Sequence, residues 1–158
     1  MVSRELVAAK LGDLADRIAR VRAHHRATVD ELQSDRDALD LVSFNLMLAV
    51  QSCVDVASHI VADEGWRPAT SLGDGFDRLH QRGVLSAPTA RALQRAAGLR
   101  NVVAHGYAGV DPATVHAAST QGLGDLEAFA REVAQWLDRS PGGATTPRSG
   151  TAPSTRGA

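Results

Sequence analysis

A chain of 158 residues with 44% hydrophobic side chains is sized for one domain with a substantial core, which excludes a wholly disordered polymer. Seventeen basic side chains stand against 18 acidic ones, so no molecule-wide field draws the protein to nucleic acid or to an anionic membrane. A nucleic-acid ligand would have to be held by a local site.

The chain starts on Met1-Val-Ser-Arg-Glu5, where a secretory leader would need apolar residues. Leu6 or Val7, Leu11, Leu14, Ile18 and Val21 then recur every three to four residues, which predicts an amphipathic helix from about Arg4 to Ala23. Thr28-Val-Asp-Glu31 and Ser34-Asp-Arg-Asp37 each put a hydroxyl three residues before a carboxylate, the pattern of a helix start. A long second helix to about Asp63 follows. It is apolar on several sides, with Leu39, Val42, Phe44, Leu46, Leu48, Val50, Val54, Val56 and Ile60, and so is expected at the centre of a bundle. Cys53 lies in this run without a second cysteine, which predicts a small core residue in a reducing, cytoplasmic setting. The longest strictly apolar stretch, Leu46-Met-Leu-Ala-Val50, is too short to span a bilayer, and no membrane partner is expected.

Gly65 suits the left-handed end of that helix, and Trp66-Arg-Pro68 forms a connection. A short helix from about Asp74 to Gln81 stops at Gly83, and Ser86-Ala-Pro88 opens another that reaches Gly106. Asp111-Pro112 introduces a further short helix, and after Gly122 and Gly124 a last one buries Leu126, Phe129, Val133, Trp136 and Leu137. No segment alternates as a strand does. The expectation is an all-α bundle of four to five helices over residues 1–139, with residues 140–158, rich in Pro, Gly, Ser, Thr and Ala, as a disordered tail.

One segment carries chemistry. Arg100-Asn-Val-Val-Ala-His105-Gly-Tyr107 places a guanidinium, an imidazole and a phenol within eight residues, just before a glycine-rich turn. Arginine pairs its donors with phosphoryl oxygens, and histidine exchanges a proton near neutral pH. Five residues of regular helix turn through roughly 140°, so Arg100 and His105 do not share a face unless the long arginine stem reaches around the helix or the helix end at Gly106 lets them converge. Asn101, one helical step before His105, could bond the imidazole or a ligand. An arginine and a histidine in a last turn also complement the helix dipole, and spacing alone favours that plainer reading.

Context adds a resemblance. Arg100 to Tyr107 followed by Val110-Asp111 resembles the HepT-like branch of the HEPN proteins, in which Arg-x4-6-His is the ribonuclease signature and His-x-Tyr is specific to HepT. The long helix Asp37 to Ile60, the turn at Gly83-Val-Leu85 and the closing helix Asp125 to Leu137 are similar to that family's layout. The resemblance implies a homodimeric, metal-independent endoribonuclease without a cofactor, the toxin of a type VII toxin–antitoxin system. It implies that Arg100 and His105 are catalytic on RNA. It further implies that Tyr107 accepts AMP from a cognate MntA-like nucleotidyltransferase, which silences the nuclease. The alternative is a non-catalytic HEPN subunit that binds nucleotide or regulates a partner nucleotidyltransferase, which the near-neutral charge suits. A plain dimerisation bundle would leave the Arg-His-Tyr spacing unexplained.

Other residues have bland expectations. Asn45, Ser52, Asp55 and His59 form one polar line on the long helix, read first as a solvated stripe or dimer seam rather than a cleft wall. His24, His25, His80 and His116 lack metal-ligand spacing, and Asp55 with His59 are too few for a site. Trp66 and Trp136 are expected in the core or a dimer contact rather than stacked on bases.

Overall fold

The computed structural model describes residues 2–106 and 110–140. Among these residues the chain is all-α, with six helices and no strand: α1 Arg4–His24, α2 Val29–Ser34, α3 Arg36–Asp63, α4 Leu72–Gln81, α5 Ala87–His105 and α6 Pro112–Arg139. The polar tail from residue 141 onward and Tyr107 lie outside the described residues.

Helix α1 follows its stripe: Val7, Leu14, Ile18 and Val21 are buried, while Leu6 points outward. Removing each such side chain from water stabilises by roughly 1.5–3 kcal/mol. The second start is resolved differently from the expectation. Thr28 accepts from the Glu31 N–H and opens the six-residue α2, but Asp35 rather than Ser34 caps the helix that follows, accepting from Ala38 N–H at 3.1 Å. Arg26 Nη2 donates to the same Asp35 carboxylate at 2.7 Å. The backbone N–H of Ala38 first, and then Arg26, hold the Asp35 carboxyl below the usual carboxylate range. Two consecutive caps thus split one expected helix into two, which is one reason the bundle has six helices.

Helix α3 contacts all five others and is the axis of the fold. It is the one described helix long and apolar enough to cross a membrane, yet 61% of its most apolar window is buried against its neighbours. Cys53 lies in that core, where burial pushes its thiol far above the usual range. Phe44 departs from the expected core: with Leu41 it faces out, at 44% and 40% exposed.

Gly65 closes α3 with φ 66°: Trp66 N–H returns to Val61 C=O at 3.0 Å and Gly65 N–H to Ala62 C=O at 3.1 Å. Trp66 then packs edge-on against Trp136 with ring centroids 6.2 Å apart, and Arg82 lies over its face at 5.3 Å, so both tryptophans are half-buried packing residues. Phe76 of α4 meets Phe129 of α6 edge-on at 5.9 Å.

The last expectation to change is the C-terminal pair of helices. Residues 112–139 form one unbroken helix through Gly122 and Gly124, neither of which has positive φ. Val115, Ser119, Leu123, Leu126, Phe129, Val133 and Leu137 bury a continuous stripe along it. Each interior glycine costs about 1 kcal/mol relative to alanine, and burial of that stripe outweighs two of them.

Candidate active site

Helix α5 is started by Ser86, whose Oγ accepts from Thr89 N–H, with Pro88 in the first turn. Its first half buries Ala90, Leu93 and Ala97; its last turn emerges, leaving Asn101, Val102, Ala104 and His105 exposed and only Val103 buried. The helix runs regularly to His105 and stops at Gly106, whose φ of 129° suits glycine.

Because α5 stays regular, Arg100 and His105 point apart by about 140°. Arg100 is half-buried and turned toward α3: its Nε donates to Gln51 Oε1 at 3.0 Å, and its Nη1 donates to Asn101 Oδ1 at 3.2 Å. His105 is exposed, and no hydrogen bond joins it to Arg100 or Asn101 among the described residues. The fold therefore brings Arg100 and Asn101 together within one chain and leaves His105 to face outward. Val102, between them in sequence, is 43% exposed.

Gln51 was not among the residues that the sequence singled out. It leads into a polar groove of about 450 Å³ between α1 and α3, whose charged lining is Lys10, Asp13, Asp16, Arg17, Arg20 and Asp55. Gln51 Nε2 donates to Asp55 Oδ1 at 2.8 Å, and Lys10 Nζ donates to Asp55 Oδ2 at 3.2 Å. The i, i+4 spacing of Gln51 and Asp55 was visible, but the link to Arg100 spans 49 residues and was not.

The first half of the polar line on α3 is buried within the chain rather than solvated. Asn45 and Ser52 are buried; Asn45 accepts from Arg17 Nη1 at 3.2 Å and donates to Leu41 C=O at 2.8 Å, and Ser52 donates to Leu48 C=O at 3.2 Å. Burying those polar groups requires such partners, and α1 supplies the arginine. His59 turns from Asp55 toward Asp63, 3.2 Å away but off a hydrogen-bond direction. His116 and His80 approach backbone carbonyls, those of Arg26 and Leu85, at 2.9 and 3.0 Å. Among the described residues no group of three or more His, Cys, Asp or Glu side chains is placed to hold a metal ion.

A helical bundle with an arginine braced from a neighbouring helix and an exposed histidine on a glycine-ended turn defines the class. The chain belongs to the Ribonuclease HepT-like family, whose model matches residues 14–133. It is 28% identical over 99 residues to the mRNA nuclease HepT of Shewanella oneidensis, covering 63% of this chain and 74% of that protein. It is also 28% identical over 113 residues to a putative RNase of Archaeoglobus fulgidus, covering 72% and 84%. Its fold matches a solved toxin–antitoxin complex with AMP-PNP at a TM-score of 0.78, with 23% identity over 84% of this chain and 99% of that one. A tri-AMPylated Shewanella oneidensis HEPN toxin in complex with an MNT antitoxin matches at 0.77, with 23% identity and the same coverage. At that identity these structures speak for the fold alone.

Proposed function

We propose that the chain is the toxin of a type VII toxin–antitoxin system, a metal-independent endoribonuclease. The observation that carries this reading is the position of Arg100 and His105 at the emerging end of α5. There a core helix hands an arginine braced by Gln51, and an exposed histidine, to solvent. In the reaction, His105 takes the proton from a ribose 2′-hydroxyl and the 2′-oxygen attacks phosphorus. The 5′-oxygen leaves with a proton from a second imidazole, giving a 2′,3′-cyclic phosphate and a 5′-hydroxyl. Arg100 stabilises the charge that gathers on the phosphoryl oxygens. Two imidazoles on one strand call for two copies of the chain, which also relieves the divergence of Arg100 and His105 on one helix. Exposed Val102 gives such a contact an apolar element.

Tyr107 is the acceptor in the silencing step. Its phenolic oxygen attacks the α-phosphorus of a nucleoside triphosphate held by an MntA-like nucleotidyltransferase, pyrophosphate leaves, and an AMP group remains one residue beyond Gly106. The added phosphate competes with RNA for Arg100. The test is cleavage of RNA by the purified protein in EDTA beside Arg100→Ala and His105→Ala, with intact mass after co-expression with the nucleotidyltransferase. Loss of cleavage in both variants, and mass increments of AMP that vanish in Tyr107→Phe, are expected; equal cleavage by all three proteins would sink the catalytic assignment.

A second reading, a non-catalytic subunit that binds nucleotide or regulates the nucleotidyltransferase, is favoured by one observation. The groove that Gln51 lines sets carboxylates from Asp13, Asp16 and Asp55 against an equal number of cations, from Lys10, Arg17 and Arg20, and so lacks the basic excess that favours a polyanion. Absence of both cleavage and AMP increments would favour it.

A further inference from the structure

Arg100 is braced by a chain of side chains from two other helices, none of which belongs to the Arg-x4-His-x-Tyr segment. Its Nε donates to Gln51 Oε1 at 3.0 Å, Gln51 Nε2 donates to Asp55 Oδ1 at 2.8 Å, and Lys10 Nζ donates to Asp55 Oδ2 at 3.2 Å. We propose that Gln51 is a positioning residue for Arg100, with Asp55 and Lys10 fixing the direction of its amide, so that the guanidinium meets RNA phosphate already oriented. This rests on the ribonuclease reading of Arg100 and deepens it.

The chemistry of the amide carries the argument. A glutamine has a donor end and an acceptor end, and its neighbours decide which faces where. The Asp55 carboxylate accepts from Nε2, which turns Oε1 to Arg100. The reversed amide would set N–H against the guanidinium and oxygen against the carboxylate, two conflicts at once. Lys10 offsets the charge of Asp55, which keeps the carboxylate from competing for Arg100. A glutamate in place of Gln51 could accept from Nε as well, but it would neutralise the cation that phosphate is to meet. With Nε committed to Gln51 and one Nη1 hydrogen to Asn101, Nη2 has no partner among the described residues and is left for a phosphoryl oxygen.

The experiment uses the full chain with two readouts: single-turnover cleavage of an RNA oligonucleotide in EDTA, and binding of the uncleavable 2′-O-methyl oligonucleotide by anisotropy. Gln51→Leu is expected to slow cleavage and weaken binding by roughly 10- to 100-fold, with circular dichroism unchanged, the range typical when an outer partner of a site residue is lost. Made on Arg100→Ala, the same substitution is expected to change binding by less than about twofold, because its effect runs through the missing side chain. A merely structural role would cost the same in both backgrounds, and that result overturns the proposal. Wild-type behaviour of Gln51→Leu beside an impaired Arg100→Ala also overturns it, while leaving the ribonuclease reading intact. Wild-type cleavage by Arg100→Ala removes that reading and this one together. Should Gln51→Leu fail to fold, Gln51→Glu, of matched size, decides: binding weakened about tenfold supports the proposal, and wild-type binding refutes it.

Discussion

Three helices of this bundle end on glycines with positive φ, and the ends of two of them, α4 and α5, are built differently. At the end of α4, Gly83 has φ 74°; its N–H returns to His80 C=O at 3.0 Å and Val84 N–H to Leu79 C=O at 2.8 Å. Val84 and Leu85 are then buried, so backbone groups and side chains are both satisfied there. At the end of α5, Gly106 has φ 129°, no return bond links its N–H to the described residues, and four of the last five side chains of the helix are exposed. One turn spends its polar groups on itself. The other leaves a histidine exposed beside an arginine braced against α3, which is what the proposed site would need for an external ligand.

Substitutions at the two turns test this contrast. Leu79 is fully buried and its carbonyl accepts from both Val84 and Leu85 N–H. Leu79→Ala is expected to cost about 2–5 kcal/mol in a urea melt, and a cost under about 1 kcal/mol would break the claim that this end of the fold is the tightly packed one. Gly83→Ala is expected to cost about 1–2 kcal/mol in the same assay. Nothing lies within 4 Å of where its Cβ would stand, so the cost is backbone strain alone.

Acid offers a gentler probe, of the helix starts rather than the ends. The Thr70 N–H first, and then Arg78, hold the Asp74 carboxyl below its ordinary value of 3.8, and Asp35 is lowered by Ala38 N–H and Arg26. A carboxylate with a lowered folded value stabilises the fold above its unfolded value and loses that contribution as pH falls through the folded one. Melting temperature is therefore expected to hold above about pH 4 and to decline below it, with a shallower decline in Asp74→Asn. An unchanged slope in that variant would remove Asp74 from the account.

Much of this was legible because it is local. Ser86-Ala-Pro88, Asp111-Pro112, Gly65 and Gly83 each announce a helix end through groups within a few residues, and each stands where it was expected. The errors came where tertiary contacts decide. Gly122 and Gly124 suggested a break that burial of Leu123, Leu126 and Phe129 overrides. Asp35, not Ser34, took the second cap because Arg26 could reach it. Phe44 faces outward on a helix that is apolar on several sides, and periodicity alone does not say which of those sides its neighbours cover. At the site, the segment Arg100 to His105 could be picked out by residue type, but Gln51 could not, since only the fold places it on the guanidinium.

The smallest expected effect on stability is the most informative about the open turn. His105 is exposed, ends α5, and has no hydrogen-bond partner among the described residues, so little holds the fold through it. His105→Ala is expected to melt within about 0.5 kcal/mol of the wild type, the ordinary range for an exposed position. A histidine kept only to complement the helix dipole would make the variant less stable by about 0.3–1 kcal/mol at low salt, with cleavage intact. A histidine that moves a proton in the reaction predicts the opposite pairing: an unchanged melt, and cleavage down by roughly 100- to 10,000-fold. Measured on the same preparation, the two readouts separate a residue that caps a helix from one that the helix end was shaped to present.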